Sequence, residues 1–186
     1  MIAGRDLAGA SIEPDEFFAF IRGRLGARFV RTPSEISAQV EGLDRARDPD
    51  GRFRVTELFC VEDTWRTTVD ALMARAAVVL LDLREYHPGR AGTRYEIFQL
   101  MSIVPVARII VLLGRNDDVD AVSVELQQAW SAMSNASPNL RLSAPALQIC
   151  RLRSGSGKEV NALFTNLYAR AIADRDTEAA DRVQGP

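Results

Sequence analysis

Two short aliphatic runs, each followed by turn residues and then by a helical pattern, constrain the fold of this chain more than any other feature. The runs cover residues 77–83 and 107–113. Near-continuous aliphatic character is typical of central parallel strands that are covered on both faces. Because a short connection through a helix makes the strands parallel with a right-handed crossover, the two runs predict an α/β fold.

The same alternation of strands and helices extends through most of the chain. Further strands are predicted at residues 28–31, 55–61 and 146–152. Hydrophobic periodicity predicts helices at residues 14–25, 63–75, 93–102, 119–133 and 158–173. Residues 34–54 are rich in charge, Gly and Pro, which predicts a loop. The expected architecture is a doubly wound three-layer sandwich whose mostly parallel sheet has about five strands.

Length and composition fit one globular domain. The chain has 186 residues, of which 47% are hydrophobic, and this is enough to bury a core of ordinary size. We expect a single α/β domain over residues 1–175. The polar residues 176–186 predict a disordered tail.

Charge and hydropathy limit the partners of the chain. The 23 Lys and Arg residues nearly balance the 25 Asp and Glu residues, so no bulk field favours nucleic acid. The longest apolar run, residues 76–81, is far shorter than the roughly 20 residues that a membrane span needs. The first residues lack the basic and apolar regions of a secretory signal. Together these features predict a cytoplasmic protein that neither enters a membrane nor binds nucleic acid.

Few residues offer metal, redox or phosphate-loop chemistry. Cys60 and Cys150 lie in apolar runs, which favours two buried thiols in a reducing compartment. His87 is the only histidine and stands in a polar loop, so neither a metal site nor a cofactor is expected. The segment SGSGK departs from a phosphate loop, because Leu152 replaces its first Gly and Glu159 replaces its Ser or Thr.

Two acids mark the candidate site. Asp82 ends an aliphatic strand, where a buried carboxylate without a partner would be costly. Glu96 lies early in the following helix. Since ligands bind at the carboxyl ends of parallel strands, both acids are expected to face one crevice. The alternatives are structural: Asp82 could cap its loop or pair with Arg84 or Arg90, and Glu96 could compensate the helix dipole.

The pattern LLD…PGRAGTRYEIFQL over residues 76–101 resembles the D…GT..E signature of nucleoside 2-deoxyribosyltransferases. It is more distantly similar to TIR-type domains, in which one glutamate serves NAD cleavage. The resemblance implies a flavodoxin- or TIR-like fold. It also implies binding of a nucleotide or nucleoside, with cleavage or transfer at an N-glycosidic bond as the accompanying activity.

The resemblance also assigns roles to individual residues. Glu96 would be the catalytic carboxylate beneath C1 of the ribose, where it stabilises or attacks an oxocarbenium-like centre. Asp82 would orient the ribose hydroxyls or shuttle a proton. The implied substrate-binding residues are Tyr86 for the base, Arg84, Arg90 and Arg94 for a phosphate, and Gly92 and Thr93 as the loop glycine and hydroxyl.

A second resemblance concerns the segment DTWRTTVDALMARA and the strand that follows it. The segment is similar to cytoplasmic domains of uncharacterised bacterial proteins, which implies a fold and no activity.

Departures from the deoxyribosyltransferase pattern support an alternative function. Phe98 and Leu100 stand where that family usually has small residues, and Arg90 and Ala91 replace the usual acid before Gly-Thr. These larger side chains would narrow or close a nucleoside pocket. The alternative is therefore a non-catalytic signalling or protein-interaction module with a closed crevice. A homo-oligomer or a protein partner is compatible with either function.

Overall fold

A computed structural model describes residues 2–3, 29–43, 57–61, 63–142 and 146–183, with the side chains of residues 2–3 and 173–183 excepted. The helix predicted at residues 14–25 lies outside the described residues. The chain divides into two compact units, Met1–Leu72 and Met73–Pro186. Each unit is described by itself.

The first unit contains a small parallel sheet. Strands β1 (Ile2–Ala3) and β2 (Phe29–Val30) both pair with β3 (Phe59–Cys60), which gives the order β1-β3-β2. Helix α1 (Pro33–Glu41) follows β2, and helix α2 (Trp65–Arg75) follows β3. The buried core of this unit is formed by Val30, Ile36, Val40, Leu58 and Cys60.

The loop predicted at residues 34–54 is wrong for residues 34–41, which are part of helix α1. Pro33 occupies the start of the helix, where the missing amide proton costs nothing. The Glu35 carboxylate accepts a hydrogen bond from the Arg31 amide at 2.8 Å, and this bond lowers the pKa of Glu35. Ile36 and Val40, four residues apart, are buried on one face. Two well-placed apolar residues thus suffice for a helix that is polar elsewhere.

The second unit contains a second parallel sheet, with helices between its strands. In chain order its elements are β4 (Val79–Asp82), α3 (Ala91–Ile103), a 3-10 turn (Val106–Arg108), β5 (Ile109–Leu113), α4 (Val119–Ser131), β6 (Gln148–Arg151) and α5 (Gly157–Val183). The strand order is β4-β5-β6. All pairings are parallel, and Asp82 is opposite Leu112, which is in turn opposite Cys150.

Strand β5 is the centre of this sheet, and all five of its residues are buried. On one face, Ile110 and Leu112 pack against Leu163 and the partly buried Leu167 of α5. The central strand predicted at residues 107–113 is therefore confirmed for residues 109–113, while residues 107 and 108 belong to the 3-10 turn. For residues 77–83 the prediction of a central strand was wrong within the described sheet: β4 pairs with β5 alone, and Leu80 is exposed.

The α/β class expected from the sequence is confirmed, with parallel strands in two small sheets. Cys60 is buried as predicted, whereas Cys150 is only partly buried, and both are free thiols. Helix α5 is described as far as Val183, beyond the predicted end at residue 173. No helix in the described ranges combines the length and apolar character that a bilayer crossing requires. A single domain over residues 1–175 and a disordered tail remain predictions.

Asn139 closes the carboxyl end of α3 from a distant loop. Its side-chain nitrogen donates to the carbonyls of Met101 and Val104 at 2.9 Å, and its Oδ1 accepts from the Val106 amide at 2.8 Å. The residue is completely buried. One side chain thus bonds to three backbone groups, and the Val104 carbonyl and the Val106 amide depend on it, whereas the Met101 carbonyl also accepts from the Ser137 hydroxyl.

Replacement of this side chain is expected to be strongly destabilising. Asn139→Ala should lower the free energy of unfolding by about 3 kcal/mol, because each buried polar group left unpaired costs about 1 kcal/mol or more. Denaturant unfolding measures the loss. The exposed Asn135→Ala is the matched control and should change stability by less than about 0.5 kcal/mol. Equal effects of the two substitutions would contradict this role of Asn139.

Candidate functional site at the carboxyl edge of the second sheet

The loops after β4, β5 and β6 lie at one edge of the second sheet, because the three strands are parallel. These loops cover residues 83–90, 114–118 and 152–156. In open α/β sheets this edge is where ligands bind. The polar side chains that the sequence placed at the end of β4 therefore lie at the expected edge.

Asp82 is held by Arg84 in the same loop. Its carboxylate accepts two hydrogen bonds from Nε of Arg84 at 2.9 and 3.0 Å, one from Nη2 at 2.5 Å, and one from the Arg84 amide at 3.0 Å. Partial burial would raise the pKa of Asp82, but the bonds and charge of Arg84 outweigh it and lower the pKa. The structural alternative of pairing with Arg84 is therefore present.

Asp117 ties the first two loops of this edge together. Its carboxylate accepts from the Gly114 amide at 2.5 Å and from the Glu85 amide at 3.1 Å. Glu85 has φ of 57°, a left-handed conformation that residues other than Gly rarely adopt. Arg151, at the end of β6, donates to the carbonyls of Gly114, Arg115 and Asp117 at 3.1 to 3.3 Å. The three loops are thus cross-linked by side chains.

Two more carboxylates accept hydrogen bonds from backbone amides, one at the start of α4 and one in the loop before α5. Asp118 accepts from the amides of Asp120 and Ala121, both at 3.0 Å, and so caps α4. Glu159 accepts from three consecutive amides, those of residues 153–155, at 3.0 to 3.3 Å. The Ser154 amide is the main cause of the lowered pKa of Glu159. In the SGSGK segment, a carboxylate of the chain itself occupies these donors.

The start of α3 differs from the starts of α4 and α5. Arg90 is its N-cap residue, and the Arg90 side chain makes no capping hydrogen bond. Gly92 and Thr93 belong to the first helical turn rather than to a loop, because α3 begins at Ala91, two residues before its predicted start. The first amides of a helix have no acceptor within the helix, and they favour anions.

A partly buried cluster joins the first turn of α3 to α4. Arg94 donates from Nε to Oε1 of Glu125 at 2.7 Å and from Nη2 to the Gln128 side chain at 3.3 Å. The Tyr86 hydroxyl is buried without a hydrogen-bond partner among the described residues. Burial is the main cause of its raised pKa, and the nearby Glu125 charge adds to it. The side chain of Glu125 is 10% exposed, whereas that of Arg94 is 50% exposed.

Arg94 also borders an open groove between α3 and α4. The groove has a volume of about 480 Å³ and is lined by Arg94, Phe98, Val124, Gln127, Gln128, Ser131 and Ala132. The guanidinium lies over the Phe98 ring, 5.4 Å from its centroid. Phe98 therefore lines a surface groove in which a cation and several amide groups are available.

The sequence-predicted site residues fall into separate groups. Asp82 and Arg84 form an ion pair, Tyr86 and Arg94 meet at Glu125, and Arg90, Gly92 and Thr93 start α3. Glu96 is half-buried in the second turn of α3.

Sequence reasoning missed Glu125, although a signal was present. Glu125 belongs to the buried stripe of α4 together with Val122, Leu126 and Ala129, at the spacing of an apolar helix face. An acid at such a position requires a partner from another element, because an unpaired buried charge is costly. The partner is Arg94.

Within the described ranges, no three His, Cys, Asp or Glu side chains are grouped so that they could hold a metal ion. Comparison of the chain with models of known families, with curated proteins and with solved structures gave no match in any of the three.

The ion pair of Asp82 predicts a pH-dependent contribution to stability. The folded pKa of Asp82 is below its ordinary value of 3.8. The pair therefore stabilises the fold above pH 3.8, and the stabilisation is lost as the pH falls through the lower folded pKa. Because both side chains are well exposed, we expect Asp82→Asn to cost only about 0.5 kcal/mol at pH 7.

Denaturant unfolding of both proteins at several pH values measures this difference. It should shrink to zero at strongly acidic pH, and Arg84→Gln should behave like Asp82→Asn. A difference that stays constant from pH 7 to pH 2 would contradict the ion-pair origin.

Proposed function

We propose that residues 73–186 bind a nucleotide or nucleoside at the carboxyl edge of β4. The observation that carries this proposal is the contrast between the helix starts at this edge. Chain carboxylates occupy amides at α4 and before α5, whereas the N-cap side chain of α3 makes no such bond. The first turn of α3 is therefore a suitable position for a ligand phosphate.

Charged side chains near this helix start support the same ligand class. Arg90 is exposed at the N-cap position, and Arg94 is half exposed one turn later. Arginine is suited to phosphate because its planar guanidinium donates two parallel hydrogen bonds. Tyr86, which ends in a buried hydroxyl, comes from the same connection and is proposed to contact the base. The ligand would thus lie along one βα connection, as in other open α/β sheets.

The fold that accompanies this proposal is the doubly wound three-layer sandwich predicted from the sequence, in a cytoplasmic protein. Cleavage or transfer at an N-glycosidic bond is the further part of the proposal. In it Glu96 is the carboxylate that stabilises the ribose cation, and Asp82, with its lowered pKa, is an ionised hydrogen-bond acceptor for ribose hydroxyls. Because Arg84 already binds Asp82, ligand hydroxyls would have to share its oxygens with this arginine.

Calorimetric titration with NAD, ADP-ribose and a panel of nucleosides tests binding. Arg90→Ala should weaken the phosphate-bearing ligands about tenfold, because one charge-assisted contact is lost, and should leave nucleosides unchanged. Arg115→Ala is the matched control, since Arg115 is an exposed arginine in the neighbouring loop. If no compound of the panel binds to the wild type, the proposal is wrong.

A glycohydrolase assay on the same compounds tests the catalytic part. Glu96→Gln should lower turnover by about 100-fold or more and leave the affinity for ADP-ribose within about twofold, because the charge acts on the transition state. Equal turnover by the two proteins would exclude Glu96 as the catalytic carboxylate.

One observation favours the second candidate, a non-catalytic interaction module. Phe164, Tyr168 and Ile172 repeat every four residues along α5, and Phe164 and Tyr168 are 63% and 60% exposed. A stripe of this kind is a common feature of protein-interaction surfaces.

Sedimentation velocity tests whether this face mediates self-association: the double variant Phe164→Ser, Tyr168→Ser should be less associated than the wild type. A monomeric wild type would exclude a homo-oligomer through this face.

A further inference from the structure

Glu125 is a buried acid whose location matters for the proposed site. It lies on the buried stripe of α4, and its side chain is 10% exposed. A carboxylate in this environment needs a charged or hydrogen-bonding partner to offset its lost hydration. The partner that the structure provides, Arg94, was assigned to ligand binding from the sequence.

The carboxylate is contacted by Arg94 from the first turn of α3 and lies near Tyr86 from the β4–α3 connection. Nε of Arg94 donates to Oε1 of Glu125 at 2.7 Å, which fixes one edge of the guanidinium. Tyr86 brings its buried hydroxyl near the same carboxylate, and the Glu125 charge acts on it. Gln128, one turn further along α4, accepts a hydrogen bond from Nη2 of Arg94 at 3.3 Å. Helix α4 thus holds the Arg94 guanidinium at two of its nitrogens.

A purely structural role does not account well for this arrangement. Replacing a buried ion pair by apolar side chains of similar size is often neutral or stabilising, so a pair of this kind is weak evidence for a contribution to stability. Arg94, moreover, is half exposed and lines the groove between α3 and α4. The carboxylate is thus buried while the cation remains open to solvent, an arrangement that directs the guanidinium outward.

We infer that Glu125 is a positioning residue of the proposed nucleotide site: its buried carboxylate holds the Arg94 guanidinium in the orientation in which it meets a phosphate-bearing ligand. This inference rests on the proposed function. It adds a residue outside the LLD…PGRAGTRYEIFQL segment, from a different helix of the same unit. Glu125 itself does not contact the ligand, and its effect passes through Arg94, which it orients.

The substitution Glu125→Gln removes the charge and keeps the shape of the side chain. The matched control is Asp120→Asn, which removes a charge from an exposed position of the same helix. The first measurement is an absorbance titration of the tyrosines, with Tyr86→Phe used to assign the Tyr86 transition among the three tyrosines of the chain. Loss of the Glu125 charge should lower the pKa of Tyr86, and Asp120→Asn should leave it unchanged.

The second measurement is the affinity for ADP-ribose. Glu125→Gln should weaken binding about tenfold, because Arg94 loses its fixed orientation, whereas Asp120→Asn should stay within about twofold of the wild type. The double variant Arg94→Met, Glu125→Met covers the case in which Glu125→Gln does not fold. It should keep the melting temperature within a few degrees of the wild type and lose the affinity.

These outcomes separate the inference from the proposed function. If the wild type binds no compound of the panel, the nucleotide proposal fails and the inference fails with it; if the wild type binds and Glu125→Gln keeps full affinity, the inference alone fails. If Tyr86 titrates alike in Glu125→Gln and Asp120→Asn, the inference is overturned. It is also overturned if the wild type binds ADP-ribose and the double variant binds it with the same affinity.

Discussion

The complete burial of β5 is the constraint on which the second unit depends. All residues of Ile109–Leu113 are buried, and the strand has a hydrogen-bonded neighbour on each side. A strand without an exposed face cannot carry polar side chains, so the polar groups of this unit are confined to its helices, its outer strands and the ends of the sheet. Parallel pairing then brings the loops after the strands to one edge. The location of the candidate site follows from this burial before any catalytic residue is considered.

Most acids at this edge serve the backbone. Asp117 bonds to amides of two loops, Asp118 caps α4, and Glu159 accepts from three consecutive amides. Each arrangement satisfies donors that irregular loops and helix starts would otherwise leave without acceptors. An acid close to the end of a parallel strand is therefore by itself poor evidence of catalysis. The start of α3 is distinctive because the side chain of its N-cap residue, Arg90, makes no capping hydrogen bond.

The local sequence pattern predicted those strands and helices whose formation depends on their own residues. It failed where contacts with residues distant in the sequence determine the structure. Residues 109–113 form a buried strand because their aliphatic character leaves no other solution. Helix α1 was not predicted because Ile36 and Val40 are its only buried residues, so that the charge, Gly and Pro content of residues 34–54 outweighed their helical spacing. The contact of Arg94 with Glu125 joins residues 31 positions apart, so no local motif contains it. An acid on an apolar stripe was nevertheless a readable signal.

The burial of Glu125 also determines what Arg94 presents to solvent. The net charge of the pair is zero. The Glu125 side chain is only 10% exposed whereas that of Arg94 is 50% exposed, so the pair presents mainly its positive charge to solvent. The first turn of α3, to which Arg94 is adjacent, carries the partial positive charge of the helix dipole. The two fields therefore add on the solvent side instead of cancelling. In a chain with nearly balanced charge, local addition of this kind is how an anionic ligand would be attracted to one edge of a sheet.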